Sequence, residues 1–222
     1  ALYTGPQGIN LEVLNMLNVK YISSRQQFRL PGYQLAYNEQ DGYVYRNTDV
    51  SDKVYFVDSL VTVPDPRSAI NKLQPNSNFT FDANKHAIVE TDDSNLQAHK
   101  DTASSAEVVE YGPRNIEIRT QNRQKGFLVL SEMYYPEGWR ATIDGEHAPI
   151  YKTNYVLRGI QIPAGNHTVT FSFNPVSYIW GSRLSWVGNI IQWIIGLIAL
   201  TKLYREGRLT FQNTQASSND ES

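Results

Sequence analysis

Between residues 134 and 158 the chain gathers Tyr134, Tyr135, Trp139, Arg140, Lys152, Asn154, Tyr155 and Arg158. Aromatic faces stack on sugar rings, and Arg, Lys and Asn donate hydrogen bonds to hydroxyls or phosphates. The set therefore reads as a candidate surface for a glycan or a lipid-linked sugar. A structural reading competes with it. In that reading Trp139 plugs a core, Tyr134-Tyr135-Pro136 shapes a corner, and Arg158 pairs with Glu132. Paired carboxylates would be a second chemistry. Glu132, Asp144 and Glu146 lie close in sequence, but a glycosidase needs two carboxylates held about 5–10 Å apart. Nothing in their spacing puts two of them in one cleft, and Asp144 precedes Gly145, where Asp serves a turn. His86, His99, His147 and His167 lack metal-ligand spacing. The chain has no cysteine, which excludes disulfides, thiolate metal sites and cysteine nucleophiles. No phosphate-cradling glycine loop or nucleophile elbow occurs. The expectation is a chain that holds no metal, no cofactor and no catalytic residue of its own.

The elements that must position these residues follow from hydrophobic period and turn chemistry. Asn10 to Leu17 reads as a short helix capped by Asn10, with Leu11, Leu14 and Leu17 on one face. Val19 to Ile22 reads as a strand. Tyr33 to Tyr37 and Tyr43 to Arg46 flank Asp41-Gly42 as a hairpin. Val54 to Val63 is β-branched and aromatic, which predicts one strand. Asp65-Pro66 opens a second helix, with Ala69, Ile70 and Leu73 on its apolar side. His86 to Glu90 returns as a strand. These elements suggest a small α/β subdomain over residues 1–91, and residues 92–105 read as a polar linker. From residue 106 about seven short strands alternate with turns such as Asp144-Gly145 and Pro163-Ala164-Gly165, predicting an antiparallel β-sandwich over 106–174 with Trp139 at least half buried.

Leu184 to Tyr204 is long and apolar enough to span a bilayer as a helix. Trp180, Trp186 and Tyr204 mark its ends, as aromatic belts do, and Lys202, Arg205 and Arg208 follow it. That bias puts the C-terminal end in the cytoplasm, residues 1–180 outside it, and 205–222 as a disordered cytoplasmic tail. Ser185, Asn189, Gln192, Gly196 and Ala199 recur at spacings of four, three, four and three, a polar-and-small stripe suited to packing on other membrane helices. A soluble protein's buried amphipathic helix is the competing reading. An external domain requires an upstream signal or upstream helices, and residues from Ala1 onward supply neither. The chain thus reads as a mature product or, given the stripe, as the C-terminal piece of a longer membrane protein. The fold expectation is α+β, mainly β: a small α/β subdomain, an antiparallel sandwich and a C-terminal transmembrane helix. Net charge is −2, which gives no sign of nucleic-acid binding.

Leu128 to Phe173, LVLSEMYYPEGWRATIDGEHAPIYKTNYVLRGIQIPAGNHTVTFSF, resembles the C-terminal region of the YfhO family of bacterial membrane proteins. The shared pattern is Ser-Glu, Tyr-Tyr-Pro, Gly-Trp, Asp-Gly, Asn-Tyr, Arg-Gly and Pro-Ala-Gly-x-His-Thr ahead of a membrane helix. Weaker echoes are LNMLNVKYI at 14–22 and VYFVDSL at 54–60. Glu137 is a departure, adding one residue between Pro136 and Gly138. The resemblance implies a polytopic protein of the bacterial cytoplasmic membrane, like GT-C glycosyltransferases that take lipid-linked sugars and glycosylate cell-envelope polymers. It implies that catalysis lies in an upstream loop and that this part is accessory. The alternative is a membrane-anchored β-sandwich that binds glycan or protein without enzymatic activity.

Overall fold

The computed structural model describes residues 10–39, 42–75 and 77–219, without the side chains of Ile179 and residues 206–219. The Asp41 half of the expected Asp41-Gly42 turn lies outside the described residues. The chain divides into a compact unit ending at Phe173 and a second unit from Asn174 onward. The first unit is mainly β with two short helices, as composition and pattern indicate.

Helix α1 (Leu11–Met16) is capped by the Asn10 side chain, which accepts from the Glu12 amide. Strands β1 (Tyr21–Ser24), β2 (Tyr33–Glu39) and β3 (Gly42–Asn47) form a three-stranded antiparallel sheet in the order β1-β3-β2. The run expected as one strand from Val54 to Val63 is two: β4 (Val54–Val57) and β5 (Ser59–Val63). Asp58 separates them, and the amides of both Asp58 and Ser59 donate to the Lys85 carbonyl. That shared anchor turns the chain to the opposite edge of the same sheet. Helix α2 (Pro66–Leu73) opens with Asp65 accepting from Ser68, and β6 (His86–Glu90) then pairs parallel to β5. The remaining strands are β7 (Ser105–Tyr111), β8 (Asn115–Asn122), β9 (Gly126–Met133), β10 (Trp139–Ile143), β11 (Glu146–Ala148), β12 (Tyr151–Thr153), β13 (Leu157–Ile162) and β14 (Gly165–Phe173).

They build a five-stranded sheet ordered β11-β10-β14-β8-β7 and a six-stranded sheet ordered β4-β9-β13-β12-β6-β5. The six-stranded sheet takes strands from both sides of residues 92–105. The boundary drawn there from polarity therefore falls inside one shared sheet. The physical reason is β9, whose run GFLVL is buried on both faces. Phe127 and Val129 join a core with Ala69, Leu73 and Met16, while Leu128 and Leu130 join the sandwich core with Ile118, Val169 and Phe171. A strand covered on both faces needs a layer on each side. The helical side comes from residues before 91 and the five-stranded sheet from residues after 105.

Helix α3 runs from Val176 to Asn219. Its stretch Val176–Arg205 is apolar enough to cross a membrane, with a mean hydropathy of 1.6 in its most apolar window. It starts earlier than the expected Leu184. The tail expected to be disordered from residue 205 is helical as far as Asn219. Extending an existing helix avoids the nucleation cost that an isolated polar segment would face.

Candidate functional site

Of the eight residues singled out from the sequence, five share one cleft. Tyr134, Tyr135, Trp139, Arg140 and Arg158 line a hollow of about 150 Å³ together with Pro136, His147 and Ile150 among others. Local geometry explains how they meet. Leu157 lies opposite Met133 while Arg158 lies opposite Leu130, so Ser131 and Glu132 bulge out of register on β9. A bulge bends its strand and redirects side chains. The Met133 carbonyl, beside the bulge, accepts from Arg158 Nε at 2.8 Å. Gly138 of the Gly-Trp pair is required sterically, because a Cβ there would fall within the Phe173 ring contact distance. The Phe173 ring in turn packs against Trp139 at 5.2 Å between centroids.

Trp139 is partly buried at the edge of the sandwich core, in line with the burial expected of it. One observation narrows what it can do. The Arg158 guanidinium sits 3.9 Å from its ring centroid. With Phe173 packed on it as well, Trp139 holds the arginine and the strand end rather than presenting an open face. Tyr135 is exposed, and its hydroxyl donates to Glu137 at 3.1 Å. That gives the extra residue Glu137 a partner within the turn.

Arg158 does not pair with Glu132. Glu132 is engaged by Lys53 at 2.5 Å and by the Tyr111 hydroxyl. Burial would raise the Glu132 pKa, but these donors win and hold it below the ordinary value. Arg158 is 3 % exposed, and its Nη1 is buried without a hydrogen-bond partner. Desolvation lowers its pKa to about 10, opposed by the more distant charge of Glu132. It therefore stays protonated at neutral pH.

Lys152, Asn154 and Tyr155 do not line the cleft. Lys152 Nζ lies 2.9 and 3.0 Å from the two Glu90 carboxylate oxygens and over the Tyr155 ring. Asn154 is buried and acts as a clasp on β6: its Oδ1 accepts from the Ile88 amide at 2.8 Å, and its backbone N–H donates to the Ile88 carbonyl at 2.7 Å. Asn154 and Tyr155 both have positive φ, 48° and 72°. Asn tolerates that region, whereas Tyr stores strain there. The Asn-Tyr pair is thus a hairpin device between β12 and β13. Gly159 of the Arg-Gly pair is needed because Thr153 and the Phe127 ring occupy the place of a Cβ.

Asp144, His86, His99 and His167 have separate duties, and Glu146 is exposed at the start of β11. Asp144 and Gly145 form the β10–β11 turn with φ of 51° and 90°. Asp144 Oδ2 lies 2.6 Å from His167 Nδ1, and Oδ1 accepts from the Thr168 amide at 2.8 Å. His167 holds the Asp144 carboxyl below its usual range, and Asp144 raises the His167 pKa. His86 accepts from the Asp82 amide through Nδ1. His99 Nε2 lies 3.9 Å from Asp101. Sequence reasoning missed Lys53 and Tyr111, which take Glu132 away from Arg158. They stand far from it in sequence, and nothing local signals the contact.

On α3, Ser185, Asn189, Gln192, Gly196 and Ala199 are all exposed. Ser185 Oγ donates to the Gly181 carbonyl at 2.9 Å, so it satisfies itself within the helix.

A family model described as bacterial membrane protein YfhO matches residues 13–185. No curated protein and no solved structure matches the chain. The match spans most of the chain, from α1 through the β unit into the start of α3, and the chain belongs to that family.

Proposed function

With membership of the YfhO family as the premise, we propose that this chain is the extracytoplasmic, accessory C-terminal region of a polytopic glycosyltransferase that uses lipid-linked sugars. The observation that carries the reading is the extent of the family match, which runs without interruption from the β unit into the apolar helix. The aromatic and basic cleft supports a role in positioning an acceptor. Among the described residues no three of His, Asp and Glu cluster to hold a metal ion. Glu132 is held in an ion pair and Asp144 in a turn. On this reading sugar transfer belongs to another part of the protein, and the polar stripe of α3 packs against its helices.

Topology is the first test. Single-cysteine variants Thr102→Cys, at an exposed position, and Ser217→Cys are labelled in intact cells with a membrane-impermeant reagent. Position 102 labels and 217 does not. The reverse pattern rejects the extracytoplasmic assignment. The second test concerns activity. The isolated chain transfers no sugar from a lipid-linked donor, and transfer by the chain alone would reject the accessory role.

A further inference from the structure

We propose that the cleft beside Trp139 is an oxyanion site, built around Arg158 to receive one phosphate or carboxylate group carried by a larger ligand. The inference rests on reading the cleft as a binding surface, and needs neither sugar transfer nor a particular membrane topology.

A charged guanidinium taken out of water costs several kcal/mol unless a counter-ion and hydrogen bonds replace its hydration. Arg158 has little of either. Among the described residues, Nε is its only nitrogen with a protein acceptor, and Nη1 is sealed without one. Glu132, whose charge acts on Arg158 without a hydrogen bond, is held by Lys53 and Tyr111. Stacking on Trp139 offsets part of the cost. The deficit of charge is one that an anion in the adjoining hollow offsets.

The lining of the cleft fits that ligand. Arg158 contributes a cation beside Trp139, and among the described residues no Asp or Glu lines the hollow. Tyr134 and Ile150 form apolar walls. Guanidinium groups match the planar fork of a carboxylate and the edge of a phosphate. Size narrows the ligand further. A water needs roughly 10–15 Å³ on a comparable measure, so about 150 Å³ accepts a group of several heavy atoms. It is well below the roughly 300–1,000 Å³ of a pocket that encloses a whole small molecule. The cleft takes one anionic substituent, and the rest of the ligand lies outside it.

Arg158 also stands where an anion would have structural leverage. It bridges the two sheets, bonded to the β9 end through Met133 and stacked on Trp139 of β10. An anion held by Arg158 beside Trp139 lies where β13 meets β10, so occupancy stiffens the end of the sandwich.

The test uses the full chain in neutral-detergent micelles, labelled with ¹³C,¹⁵N-arginine. Inorganic phosphate and, separately, acetate are titrated at constant ionic strength set with sodium chloride. The Arg158 guanidinium resonances shift saturably. In calorimetry Arg158→Lys, which keeps the charge but not the planar fork, weakens binding by about ten- to a hundredfold, the scale of one charge-assisted hydrogen bond. Calorimetry shows no saturable binding to Arg158→Met. Saturation at lower phosphate than acetate identifies a phosphoryl ligand, and the opposite order a carboxylate; either supports the site. The wild-type titration reads Arg158 directly, so a failure of Arg158→Met to fold does not remove the test. Anion binding in a protein with the opposite topology would reject the functional reading alone. Absence of a saturable Arg158 shift with both anions, or calorimetric binding unchanged by Arg158→Lys, overturns the oxyanion site.

Discussion

Lys152 and Arg158 lie directly opposite each other across the β12–β13 hairpin. They are two cations in register, an arrangement that repels unless something intervenes. Their surroundings diverge. Lys152 reaches Glu90 on β6, and its side chain keeps 26 % exposure. Arg158 turns into the end of the sandwich, buried, with Trp139 against it and no carboxylate in hydrogen-bond contact. One cation is neutralised by a strand from early in the chain. The other is left for something outside the protein. The difference comes from which third strand each side chain meets.

The largest effect expected from disturbing this arrangement is that of Trp139→Ala. It removes the ring that supports Arg158 and packs on Phe173, and lowers stability by about 3 kcal/mol, the low end of large aromatic truncations because Trp139 is only partly buried. Urea unfolding measures it, and a loss below about 1 kcal/mol would show that Trp139 does not hold the sandwich end. Gly159→Ala comes next, at about 2 kcal/mol, because the added methyl meets Thr153 and Phe127 in a packed core. Lys152→Met follows, at about 1–2 kcal/mol, since it leaves the Glu90 carboxylate at 10 % exposure without its cation. Arg158→Met sharpens the contrast. Replacing a buried, unpaired charge by an apolar side chain changes stability by less than about 1 kcal/mol, or raises it. Equal losses in the Lys152 and Arg158 variants would erase the distinction between them.

The smallest effect belongs to the exposed pair at the β10–β11 turn. The His167 pKa stands above 6.5 because Asp144 accepts from its ring, and the Asp144 pKa stands below 3.8. The raised His167 pKa contributes stability that is complete below about pH 6.5 and lost as pH rises through the folded value. The depressed Asp144 pKa contributes stability present above about pH 3.8 and lost as pH falls through its folded value. The pair is therefore strongest between these limits. Asp144→Asn returns the His167 pKa toward 6.5, which NMR titration of the imidazole checks. An unchanged His167 pKa would show that the carboxylate is not its partner in solution.

Much of the fold was legible because its signals are local. Asn10 and Asp65 cap the helices they were expected to cap, and Asp144-Gly145 makes the turn that its φ preferences dictate. The family motifs have local explanations as well: Gly138 and Gly159 leave room for rings, and Asn154 supplies a left-handed turn residue that also clasps β6. The break at Asp58 was missed, because the β-branched and aromatic residues on both sides of Asp58-Ser59 read as one strand. Its division is imposed by pairing with β9 on one side and β6 on the other. The division of the aromatic and basic cluster was not legible. Five of its members reach the cleft and three serve the hairpin, although all are near neighbours in sequence.

Helix caps, turns, the strand-rich texture and the apolar helix could be read from the chain, because each depends on residues within a few positions of one another. That one sheet joins residues before 91 to residues from 105 onward emerges only in three dimensions. So does the engagement of Glu132 by Lys53 and Tyr111, which leaves Arg158 buried with no carboxylate in hydrogen-bond contact. Electrostatic partnership depends on distance in space and on which charges have already been claimed, and neither is written in the spacing of a chain.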